Sequence, residues 1–212
     1  MRQEARSGEQ GVAAVVLAAG ASRRLGKPKQ LIEMEGESLL RRTVRLALEA
    51  GCAPVVVVVG YEAERMRAEV EGLGAAAVVN ERWGEGMGSS LRCGMEVVCA
   101  LERQPAGVLL LVCDQPQLTA EHLRRLLGRR EGGAQGIAAS GYAGRVGVPA
   151  VFGREFFGEL LAVEGDRGAR EVIERHGEVV SAVAWPEGEV DVDRPEDLAK
   201  LEGRSGNAFS DF

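Results

Sequence analysis

Near the amino end, Leu17-Ala18-Ala19-Gly20-Ala21-Ser22-Arg23-Arg24-Leu25-Gly26-Lys27-Pro28-Lys29-Gln30-Leu31 combines small residues with four cations in one short stretch. Phosphate chemistry accounts for both features. Ala18, Ala19 and Gly20 allow backbone N–H groups to approach anionic oxygens closely, and the cations neutralise a polyanion. Lysine is otherwise scarce: of Lys27, Lys29 and Lys200, two fall in this loop, while arginine carries nearly every other positive charge. An ammonium is a compact, mobile point charge suited to phosphates whose geometry changes, whereas a guanidinium is a fixed fork. A solvated, charged surface loop has the same composition. Two familiar phosphate loops are excluded by spacing. Gly20 to Gly26 is one residue too long for G-x-x-x-x-G-K-[ST], Pro28 stands where a magnesium-binding Ser or Thr belongs, and G-x-G-x-x-G is absent.

Carboxylates suited to a hard cation lie further along. Asp114, in Cys113-Asp114-Gln115-Pro116, follows the apolar run Val108–Val112. It would stand at a strand's carboxyl end, where a divalent ion can bridge phosphate oxygens and one or two carboxylates. An Asp before proline is also a turn former. Asp193, in Val190-Asp191-Val192-Asp193-Arg194-Pro195-Glu196-Asp197-Leu198, could complete a metal site or cap a helix, with Glu196 three residues on; Asp191 is the alternative ligand. In Glu85-Gly86-Met87-Gly88-Ser89-Ser90-Leu91 the amides and hydroxyls could bind an anion or nucleoside at a helix start, or Ser89 or Ser90 could simply cap it. Gly147-Val148-Pro149-Ala150-Val151-Phe152 and Gly165-Asp166-Arg167-Gly168-Ala169-Arg170 read as turns or as ligand-contacting loops.

Short β-branched runs position these groups. Val12–Leu17, Val55–Val59, Ala76–Val79, Val108–Val112 and Val179–Ala184 read as strands largely buried on both faces. Ser38–Ala50, Glu62–Glu71, Ser89–Leu101, Thr119–Arg130 and Ala169–Arg175 read as helices, with Ser38 a cap and Gly51 a stop for the first. The alternation predicts a single-domain, doubly wound, Rossmann-like α/β fold with a mostly parallel sheet, whose ligands lie beyond the strands' carboxyl ends. Residues 1–11 and 203–212 read as flexible tails around a domain spanning 12–202.

The 212 residues carry a net charge of −6 spread along the chain, which disfavours a basic surface for nucleic acid. Cys52, Cys93, Cys99 and Cys113 lack C-x-x-C spacing, and His122 and His176 are isolated, so no zinc signature exists. The apolar run from Val12 to Ala21 resembles a signal peptide, but Glu4 and Glu9 dilute the positive end that precedes it. No segment approaches the ~20 apolar residues of a membrane helix, and a soluble cytoplasmic protein is expected.

The pattern Leu-Ala-Ala-Gly-x-Ser-x-Arg-x-Gly-x-x-Lys resembles the signature loop of MobA-like nucleotidyltransferases, the molybdenum-cofactor cytidylyl- and guanylyltransferases, and the likeness extends over about residues 12 to 202. The resemblance implies the nucleotide-diphospho-sugar transferase type of fold. It also implies Mg2+ on Asp114 and Asp193, and Arg24 and Lys29 on the triphosphate. Leu17, Ala18, Ala19, Gly20 and Ser22 would line the nucleotide, with Gly88, Ser89 and Ser90 beside the nucleoside. Arg167 or Arg170 would hold a phosphorylated small-molecule acceptor, with a molybdoenzyme as recipient of the product. Ala19 stands where guanylyltransferases carry glycine, favouring CTP over GTP, and Cys-Asp-Gln-Pro replaces Ala-Asp-Met-Pro, leaving the acceptor open. Pro28-Lys29-Gln30 is similar also to methylerythritol phosphate cytidylyltransferases, and a sugar-phosphate acceptor is compatible. A nucleotide-binding module that delivers the cofactor without turnover is the alternative of another class.

Overall fold

A computed structural model of the chain describes residues 11–131, 136–192, 197 and 209–210. A seven-stranded sheet forms the centre. Its strands are β1 (Val12–Ala18), β4 (Val55–Val59), β5 (Ala76–Val79), β6 (Gly107–Val112), β7 (Ile137–Tyr142), β8 (Arg145–Gly153) and β9 (Val180–Ala184), in spatial order β5-β4-β1-β6-β8-β7-β9. Only β8 runs against its neighbours β6 and β7. The five valines of β4 are all buried, as a parallel strand covered on both faces requires.

Alternate residues of β1 enter different cores. Ala14, Val16 and Ala18 pack with Leu40, Val44, Met66 and Leu123, from α1 (Leu39–Glu49), α2 (Ala63–Val70) and α4 (Ala120–Glu131). Ala13 and Val15 pack on the other face with Leu91, Met95, Leu160 and Val172, from α3 (Met87–Cys99), α5 (Phe157–Leu161) and α6 (Arg170–Arg175). The chain is therefore an α/β single domain with a mostly parallel doubly wound sheet. From β1 the order runs outward to β4 and β5 on one side and to β6 on the other. The loops leaving β1 and β6, which lead into α1 and α4 on the same face, emerge side by side at the strands' carboxyl ends, where such folds bind their ligands in a crevice.

Ser38 caps α1 as expected, its hydroxyl accepting from the Arg41 N–H at 3.1 Å. Two expectations need correction. α3 begins at Met87 behind Gly86, so Ser89 and Ser90 lie inside its first turn and neither is the N-cap. Gly147 to Phe152 is no turn but the body of β8, paired with a strand, β7, that the sequence reading lacked. The β7–β8 hairpin closes through Ala143 and Gly144, with φ of 48° and 70°, the paired positive angles of a two-residue hairpin turn. Gly147 is required by proximity instead: a Cβ there would lie 2.8 Å from the Tyr142 hydroxyl. A smaller sheet joins β2 (Glu33–Met34), β3 (Glu37–Ser38) and β10 (Phe209–Ser210), which brings two residues of the presumed carboxyl tail into pairing with β2. Among the described residues no helix is long and apolar enough to cross a membrane.

His122 of α4 is buried against the hairpin and stacks on Trp185, with ring centroids 4.8 Å apart. The Ser140 hydroxyl donates to the Pro149 carbonyl at 2.7 Å, so it accepts from His122 Nε2 at 2.8 Å and Nδ1 is left as the unprotonated nitrogen. Nδ1 is buried without a hydrogen-bond partner. Burial therefore pushes the imidazole pKa down from 6.5 to about 4, with Arg125 adding to the effect. The unfolded chain binds this proton first as pH falls, so the group's contribution is intact above 6.5 and is lost on acidification toward 4. At ~1.4 kcal/mol per pH unit, about 3 kcal/mol of stability should disappear across that window. Denaturant melts of wild type and His122→Gln test this: the variant should lack the loss between these pH values.

Candidate active site

The loop after β1 is clamped from within. Gln30 is buried, and its Nε2 donates to the carbonyls of Ala18 at 2.9 Å and Gly20 at 2.7 Å. Ser22, at φ 49°, accepts from the Lys29 N–H at 3.1 Å and donates weakly to Gln30 Oε1 at 3.4 Å. The two arms of the loop are thereby tied together, which leaves the Lys29 side chain directed across the crevice. Replacing Gln30 by Leu removes the donor from the buried Ala18 carbonyl and the more exposed Gly20 carbonyl, and stranding the buried one costs about 1–3 kcal/mol. Gln30→Leu should lower thermal stability by that order and weaken nucleotide binding in titration calorimetry; retention of both would remove the clamp role.

Lys29 Nζ meets Asp114 Oδ2 at 2.5 Å, with the two side chains 21% and 17% exposed. The loops leaving the neighbouring strands β1 and β6, 85 positions apart in the chain, thus deliver a cation and an anion to one point. Asp114 Oδ1 is buried and accepts no hydrogen bond. The Asp114 carbonyl accepts from the Val192 N–H at 2.8 Å, which lays the segment containing Asp191 alongside the end of β6. Asp193, the other expected ligand, lies outside the described residues. Cys113, next to Asp114, is buried, and burial pushes its thiol pKa far up, so it remains a protonated, inert neighbour.

The crevice encloses about 380 Å³ and is lined on one side by Leu17, Ala19, Gly20, Arg23 and Lys29, with Cys113 and Asp114 among its lining residues. The facing wall carries Trp83, Gly86, Met87, Ser90 and Asp166. Arg23 rather than Arg24 lines it; Arg24 is exposed on the same loop, and Lys27 borders a separate depression with Arg65 and Glu69. Ala18 contributes its carbonyl to the clamp and Ser22 its hydroxyl, while Gly88 and Ser89 are buried behind Ser90. Asn80, buried, donates to Ser89 Oγ at 2.9 Å and Ser90 Oγ at 3.1 Å, fixing the start of α3.

Two glycines of this wall allow loops to interlock. A Cβ on Gly86 would approach Asp166 Oδ1 to 2.5 Å, and the Gly88 N–H donates to the Gly165 carbonyl at 2.7 Å. Trp83 sits flush on Gly60, where a Cβ would come within 2.6 Å of the tryptophan Cβ, and meets Tyr61 edge to face at 5.7 Å. The sequence reading missed Gln30, Trp83 and Asn80 as site-building residues. Only the Pro-Lys-Gln run gave any signal for the first, and nothing periodic marks the others.

A second pocket of about 180 Å³ adjoins the crevice, sharing Leu17, Met87 and Val112 with it. It is bordered by Tyr142, Arg145, Gly147, Arg167 and Arg170. Both Arg167 and Arg170 pair with Glu174, at 3.0 and 2.7 Å.

Among the described residues no three His, Cys, Asp or Glu side chains converge on a metal position. A single buried carboxylate oxygen without a hydrogen bond still fits a hard divalent cation that draws its other ligands from substrate phosphates and water. Asp114 would be its protein ligand. The crevice can thus accept a polyphosphate by the cations of the loop on one side and by a shared ion on the other.

Comparison with known proteins agrees on the class: the chain has the nucleotide-diphospho-sugar transferase fold and is a nucleotidyltransferase. It belongs to the family described as the MobA-like NTP transferase domain, whose model matches residues 14–179. It is similar to the purine catabolism protein PucB of Bacillus subtilis, with 30% identity over 197 residues covering 86% of this chain and 92% of that one. It is also 34% identical over 166 residues to nicotine blue oxidoreductase of Paenarthrobacter nicotinovorans, covering 75% of this chain and 79% of that one. The crystal structure of Rv0371c from Mycobacterium tuberculosis superposes with a TM-score of 0.76 at 32% identity, covering 92% of this chain and 98% of that one. The same protein is known in complex with manganese. A nucleoside triphosphate substrate follows for this chain at the level of the class.

Proposed function

We propose that the protein transfers a cytidylyl group from CTP, with Mg2+, to the phosphate of molybdopterin or the molybdenum cofactor, releasing pyrophosphate. The observation that carries the reading is the meeting of Lys29 and Asp114 at 2.5 Å inside the crevice that the glycine loop rims. A lone surface loop has no need of a partner carboxylate from β6.

In this reading an oxygen of the acceptor phosphate forms a bond to the α-phosphorus of CTP. The bond from that phosphorus to the bridging oxygen breaks, and its electron pair leaves with pyrophosphate. An acceptor phosphate is already ionised near neutrality, so no general base is required, and catalysis rests on positioning and electrostatics. Lys29 and Arg23, which line the crevice, meet charge growing on the leaving group, and Arg24, exposed on the same loop, adds positive charge from outside it. The amides around Ala18 to Gly20 hold the nucleotide, and Ser90 with the start of α3 borders the nucleoside. A magnesium ion held by Asp114, and by Asp193 or Asp191, would supply charge neutralisation for phosphate oxygens. Ala19 places a methyl in the wall beside Trp83, which supports the smaller cytosine over guanine.

One relative is named as an oxidoreductase, yet the loop after β1 lacks the G-x-G-x-x-G spacing of a dinucleotide site. A pyrophosphate-release panel tests the reading, pairing each of four nucleoside triphosphates with molybdopterin, molybdenum cofactor and methylerythritol phosphate. CTP with a pterin should be the productive combination. Release with methylerythritol phosphate would move the acceptor to a sugar alcohol phosphate. Metal-dependent CTP binding without release from any pair would leave a binding module.

A further inference from the structure

Three arginines border the second pocket, but they are not electrostatically equivalent. Arg167 and Arg170, the two that sequence reasoning assigned to an acceptor phosphate, both share the carboxylate of Glu174. Their charge toward a ligand is already partly met. Arg145 forms no ion pair among the described residues; its guanidinium lies over the Tyr142 ring, 5.3 Å from the centroid. A cation–π contact orients a guanidinium while leaving its five N–H donors available.

The position is built by the hairpin. Tyr142 and Arg145 are directly paired residues flanking its two-residue turn, so ring and guanidinium are neighbours by register. Tyr142 is itself fixed, its hydroxyl donating to the Val148 carbonyl at 3.1 Å over the space that Gly147 leaves open. The same hydroxyl lies within the fields of Asp114 and Asp191, which places this wall of the second pocket next to the carboxylate of the main crevice. The floor is apolar, formed by Leu17, Leu110 and Val112.

We propose that Arg145, presented on Tyr142, is the residue that selects an anionic acceptor in the second pocket, recognising its phosphate while the apolar floor takes the rest of the molecule. This rests on the nucleotidyl-transfer reading and adds to it a specificity-determining residue from a hairpin outside the known motif loops. Arg167 and Arg170 then act as supports of the α6 terminus and contribute little discrimination.

The test uses two fluorescent pterins that differ by one phosphate group, neopterin monophosphate and neopterin, titrated into the full chain in the presence of CTP and Mn2+. Wild type should bind the phosphorylated probe about tenfold or more tightly than the other, the size of one charge-assisted contact. Arg145→Gln should bring the two affinities within about twofold, Arg145→Lys should restore part of the difference, and Arg170→Gln should leave most of it. Thermal melts of each variant verify folding. Equal affinity of wild type for both probes, no binding of either, or undiminished discrimination in Arg145→Gln would each overturn the assignment. CTP binding measured separately on the same preparations tests the donor crevice, so a failure there is distinguishable from a failure at Arg145.

Discussion

Lys29→Ala is expected to lower the rate of pyrophosphate release by about 10²–10³, the range seen when one preorganised donor to a developing charge is removed. The ammonium sits in a partly enclosed crevice, 21% exposed, where a charge is worth more than in open water and is already oriented by Ser22 and the Gln30 clamp. Ground-state binding of CTP should weaken less than the rate falls, because the ammonium is assigned mainly to the leaving group. Lys29→Arg should not restore the rate, since a rigid fork cannot follow a compact charge between Asp114 and a phosphate. Single-turnover kinetics with saturating CTP would separate the two effects. A rate within severalfold of wild type would remove Lys29 from the reaction.

Asp114→Asn should cost a similar factor by a different route. It removes the carboxylate that Oδ1 offers to a cation, so the divalent-metal concentration for half-maximal activity should rise about tenfold or more while chelation silences wild type fully. It also leaves Lys29 without its 2.5 Å partner. Because the pair is only partly buried, the stability loss should stay near 1–2 kcal/mol, below the cost of stranding a fully buried charge. Metal titration of activity, read beside thermal melts, distinguishes the two consequences. An unchanged metal requirement would sink the ligand role of Asp114 even if the variant were slow.

The strands β1, β4 and β6 were legible because buried strands leave continuous apolar runs, Val55–Val59 being the plainest, whereas β5 and β9, expected to be covered on both faces, are the partly exposed edges of the sheet. The start of α1 was legible because Ser38 is a local hydrogen-bonding cap. The β7–β8 hairpin was not: its strands Ile137–Tyr142 and Arg145–Gly153 contain Gly141, Gly147 and Pro149, which read locally as turn residues, and only pairing with β6 and β9 makes them strands. The start of α3 was misplaced by two residues because serine ordinarily caps, whereas here Asn80 engages both hydroxyls from another loop.

By itself the sequence determined the chemistry on offer: a small-residue loop with clustered cations, a carboxylate at the end of an apolar run, and an alternation of elements that sends both to the same edge of a sheet. Those features depend on residues near one another in the chain, where spacing and propensity act directly. Tertiary structure alone decided that Lys29 and Asp114, 85 positions apart, touch, that Arg23 faces the crevice, and that Glu174 occupies two arginines while Arg145 remains over a tyrosine ring. Side-chain direction and charge pairing across loops arise from packing of distant segments, and no local pattern encodes them.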